Sequence, residues 1–226
     1  MNCSKTSNND NFAENQYNKM VNTPVSKLIT SLAIPTVISM LVTSIYNMAD
    51  TFFVSQISTQ ASAAVGVVFP IMSIIQAFGF TLGMGSGSLI SIRLGQKRNE
   101  EANVIVSTAF FTAIGIGFLI TILGIIFSTQ FLSLVGASNT ILPYAQDYAK
   151  YIFFGAPIMT ASFVLNNVLR SEGKAFFSMI GLTTGGILNI ILDPIFIYAL
   201  DLGISGAAIA TLCSQSISFL ILLTCF

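Results

Sequence analysis

The sequence contains no histidine and has charge on only 8% of its residues. Without histidine it lacks the commonest metal ligand and the side chain most often used as a general base near neutral pH. Soluble domains carry roughly 25% charged residues because their surfaces must stay hydrated. A chain with a third of that cannot cover a water-facing surface, so its solvent must be largely lipid. Nine basic residues balance nine acidic ones, and zero net charge argues against an electrostatic nucleic-acid binder. Only three cysteines occur, Cys3, Cys213 and Cys225. Their spacing offers neither a metal site nor a disulfide framework. No nucleophile–base set stands out, so the sequence reads as a non-enzyme without a cofactor.

What is abundant is apolar: 54% hydrophobic residues and a mean hydropathy of +0.81. A helix crosses the hydrocarbon in about 20 residues. Six segments meet that length, at 28–54, 62–90, 104–127, 143–169, 176–199 and 204–226. The expected fold is an all-α, six-helix transmembrane bundle spanning 23–226. The polar residues 1–22, rich in Asn and Ser, lack the apolar centre of a signal peptide. They read as a disordered cytoplasmic tail. The breaks between spans fall at Ser55–Gln60, Arg93–Glu101, Ser128–Leu142, Arg170–Lys174 and Asp201–Ser205.

Basic residues in short loops mark the cytoplasmic side. One set of alternate segments holds Lys5, Lys19, Lys27, Arg93, Lys97, Arg98, Arg170 and Lys174, whereas the other holds only Lys150. This distribution places the N-terminus in the cytoplasm and predicts a multi-pass protein of the plasma membrane. The sixth span stops at Phe226 without a polar tail, the ending expected of a fragment of a longer transporter.

Prolines 35, 70, 157 and 194 lie inside the spans and free the carbonyls of Ser31, Gly66, Phe153 and Ile190. In a membrane such groups must find partners or face a polar cavity. Gly79, Gly83 and Gly87 share one helix face, as do Gly181 and Gly185, a spacing that lets helix backbones approach closely. The stretch Gly83-Met-Gly85-Ser-Gly87 superficially resembles a phosphate loop, but no strand precedes it and packing is the better reading.

Asp50 and Asp193 are the most informative residues. A carboxylate inside the bilayer costs at least about 2.5–3.5 kcal/mol on insertion scales and usually marks an ion or substrate path. Counted along their helices at 1.5 Å per residue, both fall in the outer half of the membrane, and so does Thr211 on the sixth span. Asn189 lies four residues before Asp193, on the same helix face. Asp50, Asn189, Asp193 and Thr211 form an oxygen-rich set suited to a hard cation such as Na⁺, and paired carboxylates equally suit a proton. Tyr46, Asn47, Gln76, Asn166 and Asn167 are further polar groups within spans, able to line a substrate cavity or to bond between helices. Asp147 and Lys150 read as an interfacial ion pair, and Arg170–Lys174 as a solvated turn.

Several stretches resemble the multidrug and toxic compound extrusion (MATE) family. They are Leu32-Ala-Ile-Pro35 with Tyr46-Asn-Met-Ala-Asp50, Leu169-Arg-Ser-Glu-Gly-Lys174, Leu188-Asn-Ile-Ile-Leu-Asp-Pro-Ile-Phe-Ile197, and Gly203-Ile-Ser-Gly-Ala-Ala-Ile-Ala-Thr211. The resemblance runs from about residue 24 to the end and implies a Na⁺- or H⁺-coupled antiporter exporting drugs or other organic, often cationic, compounds. Members have twelve helices in two lobes, so this chain corresponds to the N-terminal lobe, with the C-terminal lobe absent. The family's cation site carries over to Asp50, Asn189, Asp193 and Thr211, all four of the expected type. Besides membrane lipid and small organic substrates, the implied partner is that missing lobe. The alternatives are a non-transporting fragment, a half-transporter needing a partner lobe, and a lipid-precursor flippase. The last is disfavoured because no basic residue lies within the spans apart from Lys150, at the interfacial start of the fourth.

Overall fold

Six long apolar helices form because six runs carry too few charges to leave the hydrocarbon and satisfy their backbone groups internally, as lipid requires. The computed structural model describes residues 22–225. Within these residues the helices are α1 (Val25–Ser55), α2 (Thr59–Gly95), α3 (Asn99–Ile126), α4 (Ser128–Val135), α5 (Leu142–Ser171), α6 (Ala175–Pro194) and α7 (Gly203–Cys225), with a π-helical turn at Ile195–Ala199. Six are long and apolar enough to cross a membrane, α6 counting together with the π turn. The chain is therefore a multi-pass, all-helical membrane protein. Residues 1–21, with the expected tail and Cys3, lie outside the described residues, as does Phe226.

The expected spans all exist, and the differences lie at their ends. Helix α2 runs from Thr59 to Gly95, eight residues beyond the expected bounds. The Ser58 hydroxyl caps its start by accepting from the Ala61 N–H at 3.0 Å, so the helix begins at its polar cap and not at its first apolar turn. Helix α3 starts at Asn99, with Glu100 and Glu101 in its first turn, where carboxylates favour the positive helix end. The segment expected as an open break at Ser128–Leu142 contains α4. Its Leu132 is fully buried, the Gln146 amide donates to the Thr129 hydroxyl at 2.8 Å, and Gly136 ends the helix at φ 108°. An eight-residue amphipathic helix has too little apolar length to register as a span.

Helix α5 is the axis of the bundle. It packs against α2, α3 and α7, and 72% of its most apolar stretch is buried, against 6% for α1. Small residues make this possible. A Cβ on Gly79 would lie 2.8 Å from the Phe163 Cβ, one on Gly83 2.8 Å from the Asn167 amide nitrogen, and one on Gly87 3.4 Å from the Ser171 Cβ. The four-residue glycine spacing on α2 is thus the α2–α5 seam. On α6, Gly181 faces Leu222 and Gly185 faces Ser218 of α7. The Ser218 hydroxyl also donates to the Gly181 carbonyl at 2.8 Å.

The α3–α5 crossing is the tightest. Gly117 lies against the backbone of Pro157 and the Thr160 hydroxyl, leaving no room for a Cβ. Pro157 cannot donate to Phe153, and the Thr121 hydroxyl supplies that bond from α3 at 2.6 Å. In return, the Thr160 hydroxyl donates to the Ala113 carbonyl at 2.9 Å. The proline's unpaired carbonyl is therefore satisfied by a neighbouring helix and not by a cavity.

Helix α1 is held differently. Its main neighbour is α6, where Gly186 meets Val42 and Tyr46. Between residues 26 and 44 the hydroxyls of α1 on Thr30, Thr36, Ser39, Thr43 and Ser44 all bond back to its own carbonyls. Bonds to other helices appear only from Tyr46 onward. Tyr46 pairs with Gln215, Asp50 accepts from Tyr148, and the Phe53 carbonyl accepts from Tyr198 at 2.9 Å.

The glycine seams give a paired prediction. Gly117→Val should destabilise the bundle by about 1–3 kcal/mol or more, because the colliding atoms are backbone. Gly115, whose Cβ would meet nothing, should accept Ala with no loss. Thermal unfolding of the two variants in detergent tests the contrast, and equal midpoints would refute the seam.

Candidate cation site

Four helices deliver polar side chains to one buried cluster. On α6, Asn189 and Asp193 share a face one turn apart, and Pro194 and the π turn follow at once. A π turn changes the helical register and commonly accompanies functional positions. The start of α7 fits closely against it, because a Cβ on Gly206 would lie 2.6 Å from the Phe196 carbonyl oxygen. That approach sets Thr211 opposite Asn189. Asp50 comes from α1, one turn beyond Tyr46, which packs on Gly186.

The structure brings the four sequence-predicted residues together. Asp193 is 0% exposed, Asn189 1%, Thr211 3% and Asp50 7%, so solvent does not screen them. The Asn189 amide donates to Asp193 Oδ1 and to Thr211 Oγ1, each at 3.3 Å. Asp50 and Asp193 lie close enough for their charges to repel one another. Among the described residues no basic side chain forms an ion pair with either carboxylate, the four ion pairs all lying elsewhere.

Tyr148 of α5 completes the cluster, and the sequence reading missed it. Its hydroxyl donates to Asp50 Oδ2 at 3.2 Å and lies within hydrogen-bonding reach of Thr211. The contacts therefore run continuously from Asp50 through Tyr148, Thr211 and Asn189 to Asp193. The sequence signal was present but faint: Tyr148 sits between Asp147 and Lys150, whose expected ion pair forms at 3.7 Å with both side chains more than half exposed. A fully buried tyrosine on the opposite face of that helix is the residue whose hydroxyl needs a partner.

Asp50 Oδ1, Asn189 Oδ1 and Asp193 Oδ2 are buried and accept no hydrogen bond from the protein. Unmet buried acceptors are costly, and three from adjacent residues of one cluster form an electron-rich set. Such a set fits a bound cation or proton, the chemistry of hard oxygen ligands.

The residues expected at a substrate cavity are dispersed. Tyr46 is buried against α6 and α7, and Asn166 is buried with its amide donating to the Ser178 carbonyl at 3.2 Å. Asn47 and Gln76 are half-buried. Asn167 donates to its own helix, at the Phe163 carbonyl, 2.8 Å away.

The MatE family model matches residues 35–195. The chain is 32% identical over 203 residues to the multidrug export protein MepA of Staphylococcus haemolyticus, covering 89% of this chain and 45% of that protein. It is 33% identical over 199 residues to an FAD transporter of Shewanella oneidensis, covering 86% and 44%. Among solved structures, an outward-facing multidrug resistance MATE transporter of the MOP superfamily superposes with a TM-score of 0.86 at 35% identity, over 90% of this chain and 45% of that one. The chain thus spans about half the length of the curated relatives it matches.

Tyr148→Phe tests the internal wiring. It leaves the Asp50 carboxylate without its protein donor and should cost about 1–3 kcal/mol of stability, read as a lowered unfolding midpoint. An unchanged midpoint would refute the link.

Proposed function

The chain belongs to the MatE family, and from that premise we propose that it forms one lobe of a cation-coupled antiporter exporting drugs or other organic compounds. The observation that carries this reading is the group of three unmet buried oxygens on Asp50, Asn189 and Asp193. Asp50, Asn189, Asp193 and Thr211 would hold Na⁺ or a proton. The cation's part is to neutralise two carboxylates that otherwise repel across α1 and α6. Tyr148 orients Asp50, and Asn189 orients Asp193 while bridging to Thr211. Binding favours the arrangement in which both carboxylates face one another, and release favours their separation. Only such a difference in affinity between two arrangements can drive alternating access.

The names of the relatives, a multidrug export protein and an FAD transporter, support a small organic cargo. Asn47 and Gln76, half-buried and with side chains not bonded to another helix among the described residues, are the proposed cargo contacts of this lobe. Tyr46 and Asn166 act through the helices they join. A second lobe is the proposed partner, since the matched relatives are about twice as long. The basic ends of the helices, at Arg93, Lys97, Arg98, Arg170 and Lys174, are proposed to face the cytoplasm across the plasma membrane.

A specific alternative is a lobe that binds the cation but transports nothing alone. Ethidium efflux from drug-sensitive cells separates the two, comparing this chain with a form carrying a second six-helix lobe. Efflux by the two-lobed form, abolished by Asp193→Asn, is the expected result. Retention of coupled efflux in that variant would sink the proposed site. For the isolated chain, added Na⁺ or acidification should raise the unfolding midpoint of the wild type and not of Asp193→Asn. A cysteine at position 97 should react with a membrane-impermeant reagent only from the cytoplasmic side, and one at 147 only from outside. The reverse labelling would overturn the orientation.

A further inference from the structure

At the basic end of the bundle, the turn joining α5 to α6 is less solvated than its sequence suggests. Arg170 is half-buried, and Glu172 and Lys174 pair at 2.9 Å with side chains only 21% and 23% exposed. The guanidinium makes one side-chain bond, from Nε to the Ser178 hydroxyl at 3.1 Å. No carboxylate of the described residues lies within ion-pair distance of it, whereas Arg93 and Arg98 both pair with Glu101 and Lys150 with Asp147. Lys174, the nearest other cation in sequence, is already neutralised by Glu172.

Arg170 is not needed as a helix cap. The carbonyls of Val168, Leu169 and Arg170 at the end of α5 already accept from the backbone N–H groups of Glu172, Lys174 and Gly173 respectively. Ser171 is likewise fixed, its carbonyl accepting from the Ser91 hydroxyl of α2 at 3.2 Å. The side chain instead crosses to Ser178, which holds its stem and Nε and leaves the terminal amino groups of the fork to other acceptors. A partly desolvated cation without a counter-ion is costly, and arginine's planar donor fork matches phosphate in two-point contact. Phe176 and Phe177, both exposed, follow immediately on α6 and set apolar surface beside the cation, where the acyl chains of a lipid would lie next to its headgroup.

We propose that Arg170, seated on Ser178, is a binding site for a phosphate-bearing anion, supplied by the headgroup of an anionic phospholipid. The site stands apart from the Asp50–Asp193 cluster and does not rest on the transport reading. Its chemistry is that of a phosphate diester, singly negative, meeting a fixed guanidinium.

The test uses the purified chain in detergent, with phosphatidylglycerol, phosphatidylcholine or inorganic phosphate added and retained adducts followed by native mass spectrometry. The wild type should hold one phosphatidylglycerol at least about fivefold more tightly than phosphatidylcholine, the size of one charge-assisted contact. Arg170→Gln should lose that preference, whereas Arg98→Gln, at an exposed and paired cation, should keep it. Inorganic phosphate that competes with the lipid in the wild type alone would support the same phosphate recognition from a soluble source. Unchanged lipid preference in Arg170→Gln, or equal loss in both variants, overturns the proposal. Should Arg170→Gln fail to fold, Arg170→Lys keeps the charge without the fork and should weaken retention at least about threefold. Undiminished retention in that variant overturns it equally.

Discussion

The close approach of α2 and α3 to α5 is the constraint on which the lobe depends. Between helices in lipid the hydrophobic effect offers little, because the surrounding tails are as apolar as leucine. What remains is contact and hydrogen bonding, and both require backbones within reach. Gly79, Gly83 and Gly117 provide the contact. Thr121 and Thr160 then exchange bonds with the Phe153 and Ala113 carbonyls across the gap. With α5 fixed in this way, Tyr148 is carried to a definite depth, and the carboxylate of α1 has a donor waiting for it. The polar cluster is in that sense downstream of the glycines.

The cluster itself joins two opposed requirements. A membrane helix tolerates a carboxylate only if something answers its charge, yet Asp50 and Asp193 share a site with tyrosine, threonine and amide groups and no arginine or lysine. Neutral donors satisfy part of each residue and leave an oxygen over. A permanent salt bridge in the same place would leave no acceptor over, whereas this arrangement leaves three. The proposed coupling needs nothing beyond that incompleteness.

Much of this was legible before any coordinates. The six spans follow from apolar length, and the glycine spacing on α2 and α6 correctly announced seams. Counting residues from helix ends put Asp50, Asp193 and Thr211 at one depth, and the structure gathers them with Asn189. The failures have physical reasons. Tyr148 was overlooked because a tyrosine near a helix end is ordinary in sequence, and only the packing of α5 shows that its hydroxyl points inward. Helix α4 was overlooked because eight residues with one buried anchor leave too weak a periodic signal. The Arg170 turn reads as solvated in sequence because charge density says nothing of the neighbour that covers a side chain. Phe153 was expected to face a cavity or a partner, and no rule of spacing could have said that Thr121 was that partner.

The uneven fastening of α1 has a mechanical meaning. The hydroxyls from Val25 to Ser44 bond only within α1, which there rests on α6 by contacts such as Val42 against Gly186, whereas the half from Tyr46 to Phe53 is also hydrogen-bonded to α5, α7 and the π turn. A rod bonded along one half and only leaning along the other bends most easily at the edge of its bonded half. Here that edge lies one helical turn from Asp50. The end at Val25 is thus the softer part of α1 and the end at Asp50 the stiffer, so any bend of this helix is concentrated away from the carboxylate.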